Sequence, residues 1–223
     1  MPSPSPPPPP PNIYIIGAQS TGKSTLVDAL EAHFRQDPSS PPSSSLPQQP
    51  TVIREVARGV LRDHHFTAGD IRASPTRALE LQRLMLAAQA KAEEREAQRA
   101  AWLILDRSAI DPIAYAWQYA GPEAARTLME SAEWQGMRDR MALSLVVVCE
   151  AGVDWLTDDG VRLMPTDTKE WMDTHEVFCR VLQEAGVRYA VLPCGLGRTE
   201  ERVEFVLREF STARCVGGQK TTL

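Results

Sequence analysis

The stretch that decides the fold lies near the start of the chain and reads Gly17-Ala18-Gln19-Ser20-Thr21-Gly22-Lys23-Ser24. It matches the pattern G-x-x-x-x-G-K-[ST] at every defined position. Before it, Ile13–Ile16 has the composition of a short buried strand, and after it Lys23–Arg35 has the apolar spacing of a helix. The alternative is a glycine-rich turn with an accidental lysine. The flanking strand and helix favour a phosphate-binding loop.

The pattern assigns a role to each part of the loop. Glycines allow backbone conformations that a side chain would obstruct, so that amide N–H groups can face phosphate oxygens at the positive end of the next helix. Lys23 is expected to reach the β- and γ-phosphates, and the Ser24 hydroxyl to ligate Mg²⁺. The candidate nucleotide-binding residues are Gly17, Ala18, Gln19, Ser20, Thr21, Gly22, Lys23, Ser24 and Thr25.

Outward from the loop, short apolar runs alternate with helical patterns. The predicted strands are Ile13–Ile16, Thr51–Ile53, Trp102–Leu105, Leu143–Cys149 and Tyr189–Leu192. The predicted helices are Lys23–Arg35, Thr76–Ala100, one that starts with Asp111 as N-cap, Thr168–Ala185 and Glu200–Phe210. Strands separated by helices form right-handed crossovers. The sequence therefore predicts an α/β, three-layer P-loop NTPase fold, with a mainly parallel sheet of about five strands and helices on both faces.

Composition excludes several classes of protein. The 223 residues are 43% hydrophobic and 24% charged, as in ordinary globular domains. A net charge of -5 gives no basic surface, so no nucleic-acid partner is expected. The chain has no apolar run long enough to predict a membrane span. Its four cysteines lack a CxxC pair, which favours reduced thiols and a soluble, cytoplasmic protein.

Proline marks the segments outside the predicted core. Eight of the first eleven residues are proline, and five more lie within residues 37–50. We expect a disordered tail over residues 1–11 and a flexible Pro/Ser insertion over 37–50, because neither can bury enough apolar surface. The tail fits either an SH3 or WW ligand or a passive extension. The predicted domain covers residues 12–213, followed by a C-terminal tail over 214–223.

Two charged residues follow the third predicted strand. Asp106 ends an apolar run, and ligands of parallel sheets gather at the carboxyl ends of the strands. It is a candidate Mg²⁺ ligand, directly or through water, and it could also accept the proton of an acceptor hydroxyl. Capping of the next turn is the alternative. Arg107 is a candidate clamp for phosphate or substrate, with a surface ion pair as the alternative.

A second charged group follows the second predicted strand. Glu55 is a candidate base or ligand for a substrate hydroxyl, and Arg58 a candidate anion ligand. The alternative is a helix start with an acidic residue in its first turn and an i,i+3 ion pair.

Several of these motifs occur together in one order. They are Gly17–Thr25, Arg54–Arg58, Leu105–Ser108 with Asp111 and Tyr115, Asp159–Arg162, and Glu201–Val203. The set resembles the AAA-type P-loop ATP-binding domain family related to the kinase domain of bacterial NadR. The resemblance covers roughly residues 12–210.

The resemblance implies a kinase-like fold that uses ATP and Mg²⁺ and phosphorylates a nucleoside-like hydroxyl, as in nicotinamide riboside kinases. For such a reaction Lys23, Asp106, Glu55 and Arg107 are the candidate catalytic residues, from their positions in the loop and at the strand ends. The family also includes nucleotide-dependent proteins described as binding GTP and phosphoinositides, so a binding protein or switch without kinase activity is the alternative.

Two more arginines take roles by this resemblance. A lid over residues 158–169 would bring Arg162 to the transferring phosphoryl group, with an ordinary polar connection as the alternative. Arg198, in the loop after the fifth strand, would stack on the adenine. This lid carries two basic residues, Arg162 and Lys169, so it departs from a multi-arginine lid.

Overall fold

The computed structural model describes residues 10–35, 49–153, 165 and 167–217. The predictions for residues 1–9 of the proline-rich tail, 37–48 of the insertion, 158–164 and 166 of the lid with its Arg162, and 218–223 of the C-terminal tail lie outside these residues. The strands are β1 (Ile13–Ile16), β2 (Thr51–Ile53), β3 (Leu103–Asp106), β4 (Leu145–Cys149) and β5 (Ala190–Leu192). The helices are α1 (Lys23–Arg35), α2 (Ala57–His64), α3 (Ala68–Ala73), α4 (Pro75–Ala97), α5 (Ile110–Ala120), α6 (Pro122–Met129), α7 (Ala132–Ala142), α8 (Thr168–Ala185) and α9 (Thr199–Gly217).

The five strands form one sheet in the order β2-β3-β1-β4-β5, and every neighbouring pair is parallel. The strand that leads into the phosphate-binding loop therefore lies in the middle. In the register of β1 and β3, Ile15 pairs with Asp106. Because parallel strands end at the same edge, the loop after β1 and the residues after β3 meet there.

Side chains alternate between the two faces of the sheet, as the period of two requires. Tyr14 and Ile16 face the core formed with α4, α5, α7 and α8. Ile13 and Ile15 face the smaller core formed with α1 and α9. Since helices cover both faces and the central strands are buried throughout, the predicted three-layer α/β architecture is confirmed.

Local hydrogen bonds move several boundaries from their predicted places. Helix α4 begins at Pro75 because the Ser74 side chain accepts a hydrogen bond from the Arg77 N–H. Strand β4 begins at Leu145, since Leu143 is the exposed residue after α7. The last helix, α9, continues beyond the predicted Phe210 to Gly217.

The prediction that Asp111 caps a helix is wrong in detail. Helix α5 begins one residue earlier, at Ile110, and Asp111 lies inside its first turn. Its carboxylate accepts hydrogen bonds from the Ser108 N–H at 2.7 Å and from the Arg107 guanidinium at 3.1 Å. The residue therefore tethers the turn after β3 to α5.

Among the described residues, no helix has both the length and the apolar content that crossing a membrane requires.

Candidate functional site

The phosphate-binding loop has a backbone path that depends on glycine at Gly17. Its φ is +130°, in the region that side chains rarely adopt. A Cβ atom at this position would lie 2.6 Å from the Cys149 carbonyl oxygen on β4. The loop thus passes directly against the neighbouring strand, and only the absence of a side chain permits this approach.

Two buried side chains hold the loop from outside. Arg202 of α9 donates to the Thr21 carbonyl oxygen at 2.7 Å. The Trp171 indole of α8 donates to the Gln19 carbonyl oxygen at 2.9 Å. Because these contacts fix two of the loop's carbonyl groups from two helices, the loop is positioned by the domain as well as by its own sequence.

Lys23 lies inside the loop and is 5% exposed. Its ammonium group donates to the Ala18 carbonyl oxygen and lies 3.3 Å from Thr21 Oγ1. Burial, with a further contribution from the positive charge of Arg107, lowers the pKa of Lys23 to about 8. A phosphate bound in the loop would supply the negative charge that favours the protonated amine.

Ser24 and Asp106 come together at the sheet edge. The Ser24 hydroxyl donates to Asp106 Oδ2 at 2.6 Å, and Asp106 is 3% exposed. A hydroxyl and a carboxylate are the oxygen ligands that Mg²⁺ takes from proteins that bind it together with phosphates. These two residues fit the ion, and they adjoin the loop that would hold the phosphates.

Arg107 lies between two carboxylates instead of on the surface. Its Nε donates to Glu55 at 2.5 Å and one terminal nitrogen donates to Asp111 at 3.1 Å. The side chain is 11% exposed, so the surface ion pair considered from the sequence is a buried one. Burial alone would lower the pKa of Arg107, but Glu55 above all, with Tyr115 and Asp111, holds it well above its usual range.

The backbone at Arg107 supports this placement. Its φ is +84°, an uncommon value for a residue with a side chain. The N–H of Arg107 donates to the Ile15 carbonyl oxygen at 2.9 Å, which continues the β1–β3 pairing by one residue. The chain therefore turns sharply after Asp106, and strain of this kind is common at functional sites.

A cavity of about 830 Å³, including the solvent at its mouth, opens beside the loop and Arg107. Helices α2 to α5 form most of its wall. The lining residues are Gln19, Glu55, Val56, Ala57, Leu61, Phe66, Ile71, Leu81, Gln82, Met85, Gln89, Arg107, Ser108, Asp111, Pro112, Tyr115 and Tyr119. The wall is mostly apolar and has a few polar groups, as in pockets for small organic molecules.

Two glutamines of α4 line this cavity seven residues apart, and both are almost fully buried. Gln89 donates from Nε2 to Glu93 at 3.0 Å, which fixes the orientation of its amide. Gln82 Oε1 is buried and has no hydrogen-bond partner in the described part of the chain. Buried acceptors usually have a partner, so this oxygen points to a ligand that carries an N–H or O–H group.

Glu93 connects the cavity wall to the core. It is fully buried and accepts hydrogen bonds from Gln89, Tyr14 and Arg140. Burial raises the pKa of Glu93, while these donors oppose the rise. The network therefore holds Gln89 in one rotamer and one orientation.

Near the other side of the cavity, α3 is tied to α8. Arg72 donates to both carboxylate oxygens of Glu170, at 3.0 and 3.2 Å. The Tyr119 hydroxyl donates to the same carboxylate at 3.0 Å. Since Tyr119 also lines the cavity, this group links the wall to the start of α8.

The structure brings most of the predicted site residues together. Lys23 and Ser24 belong to the loop, Asp106 adjoins it, and Glu55 and Arg107 line the cavity beside it. Thr25 is exposed on the first turn of α1. Arg58 is largely exposed, with its Nε 3.9 Å from Glu55. Arg198 lies in the turn between β5 and α9, also largely exposed, 3.6 Å from Glu200.

The sequence reasoning missed the polar residues of the cavity wall. The sequence analysis places Gln82 and Gln89 in the predicted helix Thr76–Ala100 and assigns them no role, although their spacing places both on one face. That face also carries the buried Leu81, Leu86 and Glu93. Polar residues repeated along the apolar face of an amphipathic helix are the signal that could have identified them.

Comparisons with known proteins agree with this geometry. A family profile described as "AAA domain" matches residues 12–202. No curated protein matches the chain. Among solved structures, NadR in complex with NR is 22% identical with a TM-score of 0.66 and covers 96% of this chain. NadR in complex with NAD and AMP-PNP is 22% identical with a TM-score of 0.62 and covers 91%.

A third similar structure is deoxyadenosine kinase from M. mycoides with the products dCMP and dCDP bound. It is 13% identical with a TM-score of 0.56, and the match covers 90% of this chain and 98% of that one. The present chain spans about half of the two NadR chains, 54% and 50% of their lengths. At these identities the likeness shows the fold alone, an α/β P-loop NTPase fold.

Proposed function

The chain belongs to the AAA domain family, and from this premise we propose that it is an ATP- and Mg²⁺-dependent kinase that phosphorylates a hydroxyl group of a nucleoside-like molecule. The observation that carries the proposal is the junction of two sites. The phosphate-binding loop and the Ser24–Asp106 pair lie beside an open cavity whose polar lining includes Gln19, Glu55 and Arg107. Such a junction is what transfer between a nucleotide and a second small molecule needs.

The loop side binds the nucleotide. Its backbone N–H groups and Lys23 hold the phosphates, and Ser24 and Asp106 hold Mg²⁺. When bound, the ion neutralises charge on the phosphate oxygens. In this proposal Arg162 reaches the transferring phosphoryl group from the lid, and the exposed Arg198 stacks on the adenine.

The cavity side binds the acceptor. Glu55 accepts the proton of the acceptor hydroxyl. At the same time the hydroxyl oxygen forms a bond to the γ-phosphorus of ATP, and the bond between this phosphorus and the ADP leaving group breaks. Arg107 is held next to Glu55 by Asp111 and carries a fixed positive charge toward the transferred group. Asp111 therefore acts by positioning Arg107, whereas Glu55 itself takes the proton of the acceptor.

The far wall of the cavity suits a planar group with hydrogen-bond donors. Gln82 Oε1 is an available buried acceptor, and the apolar residues around it can contact a ring. A nucleobase amino group or a carboxamide has the required N–H donors. The NadR structure with NR and the deoxyadenosine kinase structure with dCMP support this class of ligand for the cavity. Nicotinamide riboside is the first compound to test.

The compartment is part of the same proposal. Cys149, Cys179 and Cys194 are free thiols in the structure. This favours a reducing environment such as the cytoplasm.

The deciding experiment measures acceptor-dependent ADP formation with ATP and Mg²⁺. The panel holds nicotinamide riboside, the common ribonucleosides and the deoxyribonucleosides. We expect one class of nucleoside in the panel to stimulate ADP formation. Glu55→Gln should lower this stimulated rate by about 100-fold or more, while its affinity for ATP stays within about twofold of wild type. Glu133→Gln, on the exposed face of α7, is the matched control.

Two results would contradict the proposal. If ATP binds and no member of the panel stimulates ADP formation, the nucleotide-dependent binding protein or switch becomes the better description. If Glu55→Gln keeps full acceptor-dependent turnover, Glu55 is not the proton acceptor.

A further inference from the structure

Gln19 belongs to both halves of the site. It is the third residue of the phosphate-binding loop, and its side chain lines the cavity together with Glu55, Arg107 and Tyr115. The residue is 2% exposed. It therefore lies at the boundary where a phosphoryl group on the loop would meet a molecule in the cavity.

Tyr115 fixes the orientation of the Gln19 amide. The Tyr115 hydroxyl donates to Gln19 Oε1 at 2.7 Å. The carbonyl oxygen of Gln19 thus faces Tyr115, and its nitrogen faces elsewhere.

The nitrogen of that amide has no hydrogen-bond partner among the residues that the structure describes. Gln19 Nε2 is buried, on a side chain that lines the cavity, and it makes no hydrogen bond to the described residues. A buried N–H donor without an acceptor is rare in folded proteins, because its interactions with water have been lost and not replaced. A bound molecule with an oxygen atom at this position would complete the arrangement.

We propose that Gln19 contacts the acceptor substrate, and that its side-chain N–H donates to a second oxygen of that substrate, next to the hydroxyl that receives the phosphoryl group. This inference rests on the proposed kinase function. The phosphates are served by the backbone of the loop and by Lys23, whereas the Gln19 side chain lines the cavity with Glu55. The acceptor group is therefore a sugar with neighbouring oxygens, and a simple alcohol lacks the second contact.

The test pairs substitutions with substrate analogues. The protein variants are Gln19→Met, which removes the donor at similar length, and Tyr115→Phe, which keeps Gln19 but releases its orientation. Gln98→Met, at an exposed position outside the cavity, is the control. The probes are the best nucleoside of the panel and its 2′-deoxy, 3′-deoxy and carbocyclic analogues, the last lacking the ring oxygen.

Calorimetry measures the nucleoside affinity in the presence of AMP-PNP and Mg²⁺, and the AMP-PNP affinity separately. We expect Gln19→Met to weaken binding of the parent nucleoside about 3- to 10-fold, the usual effect of one neutral hydrogen bond. The analogue that lacks the contacted oxygen should bind wild type and Gln19→Met equally well. Tyr115→Phe should show a smaller loss with the same dependence on the analogue.

Each other outcome overturns the inference in a recognisable way. Equal losses for the parent and every analogue would mean that Gln19 only supports the fold, and no loss would mean that it contacts nothing. A loss of affinity for AMP-PNP alone would mean that the Gln19 side-chain N–H donates to a phosphate oxygen instead of to the nucleoside. If thermal unfolding shows that Gln19→Met does not fold, the affinities of Tyr115→Phe for the parent nucleoside and its analogues decide whether Gln19 contacts the nucleoside. If wild type phosphorylates no member of the panel, the proposed function fails and the inference with it.

Discussion

The Ser24 hydroxyl donates a hydrogen bond to the Asp106 carboxylate across 2.6 Å, although 82 positions separate the two residues in the sequence. The contact follows from the sheet, because β1 and β3 are neighbours and the residues after them share one edge. It joins the last residue of the phosphate-binding loop to the candidate metal ligand before any nucleotide is considered. The fold itself thus brings together the two residues proposed to hold Mg²⁺.

Substitution of Asp106 is expected to change the response to the metal ion. In Asp106→Asn the carboxylate becomes a neutral amide, so the Mg²⁺ concentration for half-maximal rate should rise at least about tenfold and the maximal rate should fall about 100-fold or more. Steady-state rates across a Mg²⁺ titration measure both. Asp139→Asn, on the exposed side of α7, should match wild type. If the Mg²⁺ dependence of the rate is unchanged in Asp106→Asn, Asp106 does not hold the metal ion.

The lowered pKa of Lys23 predicts a pH dependence of folding stability. The unfolded chain keeps this proton up to its ordinary pKa of 10.5, whereas the folded protein loses it near pH 8. Between these values the unfolded state binds more protons, so this group makes stability rise with pH. Below pH 8 the buried charge destabilises the protein by an amount on the order of 3 kcal/mol.

Lys23→Met should therefore be more stable than wild type below pH 8, and the difference should shrink toward pH 10.5. Urea denaturation of the nucleotide-free proteins at three pH values measures it. ATP affinity of wild type should also fall above pH 8, as the neutral amine attracts phosphate less strongly. A stability difference that is constant with pH would contradict the assignment to Lys23.

A methyl group at Gly17 should be poorly tolerated. In Gly17→Ala the new Cβ lies 2.6 Å from the Cys149 carbonyl oxygen and the backbone keeps an unfavourable φ. We expect a loss of at least about 2 kcal/mol in the free energy of unfolding, or a displaced loop that binds nucleotide weakly.

Gly59 provides the matched comparison for that substitution. It lies inside α2, and a Cβ there would meet nothing within 4 Å. Gly59→Ala should stabilise the protein by about 0.5–1 kcal/mol, since alanine is the better helix former. Chemical denaturation of both variants tests the pair. Equal effects would show that the contact with Cys149 does not restrict the loop.

Gln82 is expected to determine which ring the cavity accepts. Gln82→Met removes the buried acceptor at similar volume, so the protein should stay as stable as wild type or become slightly more stable. Affinity for an acceptor with an amino or carboxamide group should fall about 3- to 10-fold, and affinity for an analogue without that group should not change. Thermal unfolding and calorimetry measure the two effects. Equal loss for both compounds would contradict base recognition by Gln82.

Local sequence patterns are enough to predict the fold and the nucleotide side of the proposed site. The motif at residues 17–24 is local, and so are the apolar runs and the helical spacing around it. These patterns predicted the phosphate-binding loop, the alternation of strands and helices, and the roles of Lys23, Ser24 and Asp106. Each depends on residues close together in the chain or on the general rule that ligands gather where parallel strands end.

The set of side chains that line the acceptor side of the proposed site depends on tertiary contacts. The cavity wall comes from the loop after β1 and from α2 to α5, and no local pattern records which of their side chains face each other. Arg107 could pair with solvent or with Glu55 and Asp111, and packing places it between the two carboxylates. Gln19 Nε2 and Gln82 Oε1 have no hydrogen-bond partner among the described residues, and both atoms are buried by the folded chain. The burial and the pairing of these side chains depend on packing between elements that are distant in the sequence, so local sequence patterns do not predict them.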